Sequence, residues 1–171
     1  MLKRLADAFP KAVAQLTFQY RMHEDICRLS NLVVYKGLLK CANDIVRSQK
    51  LLLSSFPRAL RNMISNSSIT GLGWLLPVLN PVKSVVFVNT DKIGSDSIGL
   101  FRGLETTQVR SREGGGMINE VESKLTLLLV NGLEICGLDL KKVGIICPYR
   151  SQVSLKVAII VKNNRIIFYL V

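Results

Sequence analysis

Apolar positions along this chain repeat with two different periods, and the places where the period changes mark its predicted elements. Leu2, Leu5 and Phe9 fall roughly on one side of residues 2–9, which reads as the end of a helix stopped by Pro10. That helix has no capping residue after Met1, so it is expected to continue upstream. Ala12 to Phe18 is short and apolar and predicts a strand buried on both faces. From Met22 the apolar positions are 22, 26, 29 and 33, the spacing of a helix running to about Tyr35 and closed by Gly37. His23, Glu24, Asp25 and Arg28 point outward, and the two carboxylates in the first turn suit the helix dipole.

Ile45 to Phe56 predicts a basic helix. Pro57, the Asn/Ser cluster at 65–68, Gly71, Gly73 and Pro77 then predict an irregular insertion over about 57–80. Ser84 to Asn89, announced by Pro81, reads as a buried strand. Residues 91–116 are polar and end in Gly114-Gly115-Gly116, a predicted mobile loop. A long helix follows with the stripe Ile118, Val121, Leu125, Leu128 and Leu129, while Asn119, Glu120, Glu122 and Lys124 face out. Val143 to Cys147 is the third predicted strand, ended by Pro148, and Ser151 is placed to cap a last helix. Strands alternating with helices define an α/β fold, a parallel sheet flanked by helices on both faces. Ligands of such folds gather beyond the carboxyl ends of the strands. Gln19-Tyr20-Arg21 and Pro148-Tyr149-Arg150 both lie at such ends.

Length and charge sharpen this picture. With 171 residues, 49% of them hydrophobic, the chain can bury one core, so a single domain is expected. The formal charge of +11 is concentrated in residues 36–62 and 141–165, which favours a polyanionic partner. Solvated lysine-rich faces are the alternative. The 4 cysteines, at 27, 41, 136 and 147, form no CxxC pair and no metal-ligand spacing, which predicts a reducing compartment and no structural zinc. No secretory apolar region opens the chain, and no window reaches the roughly 18 uncharged apolar residues that cross a bilayer. A soluble intracellular chain without a membrane partner is expected, and the sequon Asn66-Ser67-Ser68 carries little weight there.

Tyr20 and Arg21 are the stronger chemical candidates. A purine can stack on a phenol ring, and a planar, always-charged guanidinium can bind a terminal phosphate bidentately. In phosphoryl transfer such an arginine stabilises charge that develops in the transition state. On spacing alone the commoner outcome, a strand-end tyrosine beside an arginine in a surface ion pair, stays open. Pro148-Tyr149-Arg150-Ser151-Gln152 offers helix-start amides, a hydroxyl, a guanidinium and a carboxamide, a set able to bind nucleic-acid phosphates and stack a base. An ordinary strand-to-helix turn capped by serine accounts for it equally well. Gly114 to Gly116 is not a phosphate loop, and no GxxxxGK[ST] occurs in the chain. His23, the 1 histidine, reads as a surface residue of a first helical turn, and the pairs Glu24/Asp25 and Glu120/Glu122 as solvated helix faces.

Leu16-x-x-Gln19-Tyr20-Arg21-Met22, Ile26, Leu29-Ser30-Asn31, Tyr35 and Gly37-Leu38 together resemble the motif that opens the second RecA-like domain of superfamily 1B helicases. Val143 to Gln152 resembles the later nucleic-acid-contacting motif of the same domain, in order and at suitable spacing. Within that superfamily, Asn80-Pro81-Val82, Phe87-Val88-Asn89-Thr90-Asp91-Lys92 and Asn119-x-x-Glu122 look most like the eukaryotic DNA replication ATP-dependent helicase/nuclease family. The resemblance covers roughly residues 2–158. It implies a partial C-terminal RecA-like domain of the P-loop NTPase superfamily over 1–158, an incomplete second lobe, with a divergent apolar tail at 159–171. It also implies that Tyr20 meets the adenine and Arg21 the terminal phosphate of ATP, with Gln19 nearby, and that Arg21 is the catalytic residue. Pro148, Tyr149, Arg150 and Gln152 would lie along single-stranded DNA. ATP and Mg would be the cofactors, completed by the first RecA-like lobe as partner, and the parent's iron–sulfur cluster would lie outside this chain. Nucleus is the implied location, with mitochondria as a second one. Walker A and B motifs are absent from the sequence, so the chain alone is expected not to hydrolyse ATP. A non-enzymatic basic module that binds nucleic acid or protein is the rival reading, and a fragment that does not fold stably is a third.

Overall fold

The computed structural model describes residues 2–90, 109–110, 117–147, 149, 151–152 and 167–170, which fall into two compact units, Met1–Leu51 and Leu52–Val171.

In the first unit, helix α1 (Leu2–Ala8) and a 3-10 turn at Pro10–Ala12 precede β1 (Phe18–Gln19). Helix α2 (Glu24–Ser30) continues as a π-helical turn over Asn31–Tyr35, and β2 (Lys40–Cys41) and α3 (Asp44–Ser48) follow. β1 and β2 pair in parallel, Phe18 with Lys40 and Gln19 with Cys41, so α2 is the crossover of a β-α-β unit. Its ends are determined by side chains. His23 caps the start, its Nδ1 accepting the Asp25 amide at 3.0 Å. At the far end the chain reverses through Lys36 and Gly37, both at positive φ (50° and 84°). The Asn31 carboxamide then ties the helix to the returning strand, donating to the Leu39 carbonyl at 2.7 Å and accepting the Leu39 amide at 3.0 Å.

Two expectations for this unit change. The strand predicted over Ala12–Phe18 contracts to Phe18–Gln19, and Val13, Leu16 and Phe18 stay exposed. A two-residue neighbour strand cannot cover both faces of a longer apolar run. The helix predicted over Ile45–Phe56 is α3, capped by Asn43 and over by Ser48, whose hydroxyl bonds the Asp44 carbonyl at 2.7 Å instead of prolonging an apolar stripe.

The second unit holds α4 (Arg58–Asn66), a 3-10 turn at Leu72–Trp74 leading into α5 (Leu75–Val78), and β3 (Val109–Arg110) paired antiparallel with β4 (Met117–Ile118). Helix α6 (Glu120–Ile135), a 3-10 turn at Leu140–Lys142, β5 (Gly144–Cys147) and β6 (Ile167–Leu170) complete it. Leu60, Leu72, Leu75 and Leu79 pack with Val121, Leu125 and Leu128 of α6 into the core. The stretch 57–80, read from the sequence as an irregular insertion, is therefore helical and supplies much of that core. Leu60, Met63 and Ile64, and then Leu72, Leu75, Leu76 and Leu79, carry helical spacing that the intervening Asn, Ser and Gly residues obscure. Gly132 lets α6 approach this layer: a Cβ there would stand 2.5 Å from the Leu79 Cδ1 and 3.5 Å from the Leu60 Cδ1.

Ser84–Asn89 forms no strand, and Val85, Val86 and Phe87 are exposed. An extended run becomes a strand only in a ladder with another strand, and the described strand pairs do not include these residues. Gly114–Gly116 lies outside the described residues. β5 and β6 pair in parallel from Gly144/Ile167 to Cys147/Leu170, so the apolar tail contributes a strand. Helices and two parallel pairs are present, while one continuous sheet is not formed among the described residues. No described helix is long and apolar enough to cross a membrane.

Candidate functional site

The turn that leaves β1 is organised by one side chain. Gln19 Oε1 accepts the backbone amides of Arg21 (2.8 Å) and Met22 (2.6 Å), and its Nε2 donates to the Met22 carbonyl (2.7 Å) and to Cys41 Sγ (3.0 Å). Gln49, just past α3, donates from Nε2 to the Arg21 carbonyl. Both backbone groups of Arg21 are thus held, yet its guanidinium forms no ion pair among the described residues. Tyr20 is 75% exposed. The two side chains line an open cavity of about 810 Å³, together with Leu16, Phe18, Met22 and Tyr35. An exposed ring beside an unpaired guanidinium, at the carboxyl end of a parallel strand, can receive a flat base and an anion. His23 is used as the cap of α2.

The other stretch singled out in the sequence lies in the second unit and divides. Tyr149 is partly exposed, and Ser151 and Gln152 are helical. Pro148 and Arg150 lie outside the described residues. Gln152, expected along a nucleic-acid track, is buried at 2% exposure. Its Oε1 accepts the Asn119 amide at 2.6 Å, and its Nε2 donates to the Asn119 carbonyl (2.8 Å) and Ser123 Oγ (2.9 Å). A carboxamide matched to both backbone groups of one residue is satisfied where it is buried, so this side chain clasps the start of α6 and does not face outward. Asn119 in turn caps α6, its Oδ1 accepting the Glu122 amide at 3.0 Å.

Sequence reasoning missed Gln49, which sits 28 residues from its partner and carries no motif. All 4 cysteines are free thiols. Burial pushes the Cys27 thiol up from its ordinary range, and the neighbouring Cys41 and Glu24 push it the same way. Burial also raises Cys136, against a smaller lowering by a hydrogen bond to the Leu60 backbone. Among the described residues, no three or more His, Cys, Asp or Glu side chains gather where they could hold a metal ion.

A parallel strand pair joined by a helical crossover, with a second parallel pair later in the chain, gives the general class, and comparison with known families narrows it to the P-loop NTPases. The chain belongs to the AAA domain family, which it matches over residues 1–165. It is similar to the DNA replication ATP-dependent helicase/nuclease DNA2 of Saccharomyces cerevisiae, 34% identical over 163 residues that make up 95% of this chain and 10% of that protein. The corresponding JHS1 protein of Arabidopsis thaliana is 36% identical over 155 residues, 91% of this chain and 10% of its own length. DNA2 of Homo sapiens is 34% identical over 155 residues, 91% of this chain and 13% of its own length. The resemblance drawn from the motifs therefore holds, and the chain spans about a tenth of the length of these relatives.

Proposed function

We propose that this chain is a second RecA-like lobe of a DNA replication ATP-dependent helicase/nuclease, a partial C-terminal helicase domain over residues 1–158, acting in replication and repair in the nucleus. ATP, when bound, supplies the phosphoanhydride whose cleavage drives stepping along DNA. No phosphate loop occurs in this sequence, so the phosphates and their Mg are cradled by the first lobe, and this chain contributes the facing half. Tyr20 stacks on the adenine and Arg21 binds the terminal phosphate, while Pro148, Tyr149 and Arg150 line the single-stranded DNA track. Gln152 stands behind that track and supports it.

The observation that carries this reading is an arginine whose peptide is gripped from both sides while its charge is left without a partner among the described residues. With the backbone of Arg21 fixed on both sides, part of the ordering cost of binding is met in advance, and the guanidinium is available to an incoming anion. The test is titration of the chain with a fluorescent N-methylanthraniloyl ATP. Charge-assisted hydrogen bonds contribute about 1.5–3 kcal/mol, so Arg21→Ala should weaken binding by about ten- to a hundredfold and Arg21→Lys by less. Equal affinity in wild type and Arg21→Ala would exclude the assignment.

A further inference from the structure

We infer that Gln19 and Gln49 are positioning residues that set where Arg21 presents its guanidinium, and that Gln19 does not itself hydrogen-bond the nucleotide. This inference rests on the reading of Arg21 as a phosphate ligand. A glutamine carboxamide has two N–H donors and an oxygen that accepts two hydrogen bonds. In Gln19 all of that capacity is spent within the protein, on the Met22 carbonyl and the amides of Arg21 and Met22 in the turn and on Cys41 Sγ of β2. Gln19 also lines the cavity, but to hydrogen-bond a ligand there it would have to release part of the turn that carries Tyr20 and Arg21.

Gln49 completes the arrangement from the opposite side. It leaves α3 in an extended conformation (φ −59°, ψ 137°), which turns its side chain back to the Arg21 carbonyl. The amide and carbonyl of Arg21 are therefore each held by a different glutamine, one beside β2 and one beyond α3. Cys41 lies opposite Gln19 in the β1–β2 ladder, so the returning strand takes part in the same clasp. Only the side-chain torsions of Arg21 remain to be ordered when an anion binds, which is the preorganisation a phosphate ligand requires.

The two roles separate in a double-mutant cycle, with nucleotide affinity and backbone hydrogen exchange read on the same proteins. In Gln19→Leu and Gln49→Leu we expect affinity for N-methylanthraniloyl ATP to fall about three- to tenfold. In the Arg21→Ala background neither substitution should weaken binding further. NMR hydrogen exchange, which needs no nucleotide, should speed up at the Arg21 and Met22 amides by about tenfold in Gln19→Leu. Gln49 is exposed and gives up a single hydrogen bond, so Gln49→Leu keeps the cycle available if Gln19→Leu does not fold. Losses for Gln19→Leu that add to those of Arg21→Ala, or Arg21 and Met22 amides that exchange at the wild-type rate, overturn the clasp alone. Nucleotide binding indifferent to Arg21→Ala overturns the phosphate reading, and with it the purpose assigned to the clasp.

Discussion

Replacing Gln152 by leucine asks whether that side chain faces nucleic acid or holds the second unit together. The substitution nearly conserves volume but strands the Asn119 amide, which Gln152 Oε1 accepts at 2.6 Å. Leaving a buried donor unpaired costs about 1–3 kcal/mol. The two bonds donated by Nε2 are lost as well, at about 0.5–1.5 kcal/mol each before compensation. That compensation is real: the Asn119 carbonyl still accepts the Ser123 amide at 3.2 Å and the Ser123 hydroxyl at 3.1 Å. A net loss of about 2–3 kcal/mol follows, a large share of the roughly 5–15 kcal/mol that stabilises a domain. Trp74, the 1 tryptophan of the chain, packs against the core of this unit, so its emission during urea unfolding reports the unit directly. With a denaturant slope of about 1–3 kcal/mol per molar, the midpoint should fall by about 0.7–3 M. A midpoint within about 0.3 M of wild type, combined with a loss of single-stranded DNA affinity as large as that of Tyr149→Ala, would refute the clasp and restore Gln152 to the track.

Three other outcomes are expected. In the nucleotide titration Tyr20→Phe should stay within about twofold of wild type, whereas Tyr20→Ala should lose about 1–3 kcal/mol of stacking, since the ring and not the hydroxyl is what a base covers. Leu60 is fully buried, and Leu60→Ala should destabilise the second unit by about 2–5 kcal/mol in the same urea assay, so a cost under about 1 kcal/mol would contradict the core described here. Cys27 and Cys136 are held above the ordinary thiol value of 9.0, so as pH rises past about 9 the unfolded chain ionises first and stability falls toward the folded-state values. A Cys27→Ala, Cys136→Ala chain should show a flatter alkaline limb of stability against pH.

Local pattern and motif carried a good part of this molecule. The spacing of Met22 and Ile26 announced the crossover helix, although Leu29 and Val33 of the same stripe stay exposed and Val33 lies in the π-helical turn. Val121, Leu125 and Leu128 announced the long helix α6, and Val143–Cys147 the strand found at Gly144–Cys147. The motif Gln19-Tyr20-Arg21 pointed to the family and to the end of a strand. Composition misled where polar residues separated apolar ones at helical spacing, and the core helices at 57–80 were read as irregular. Apolar runs also misled where a strand needed a partner, as at Ser84–Asn89.

The two glutamines show most clearly what tertiary structure alone decided. Residue type marked Gln19 and Gln152 as polar groups beside candidate ligands, and each turned out to be consumed by backbone amides and carbonyls. A carboxamide serves a ligand or a backbone group equally well, and which it meets depends on residues such as Cys41, Asn119 and Ser123 that folding brings close. Sequence therefore determined the periods, the family and the chemical kinds of side chain at the strand ends. Only the folded chain decided which of those side chains still have bonding capacity to offer, because hydrogen bonds are saturable and their partners lie far away along the chain.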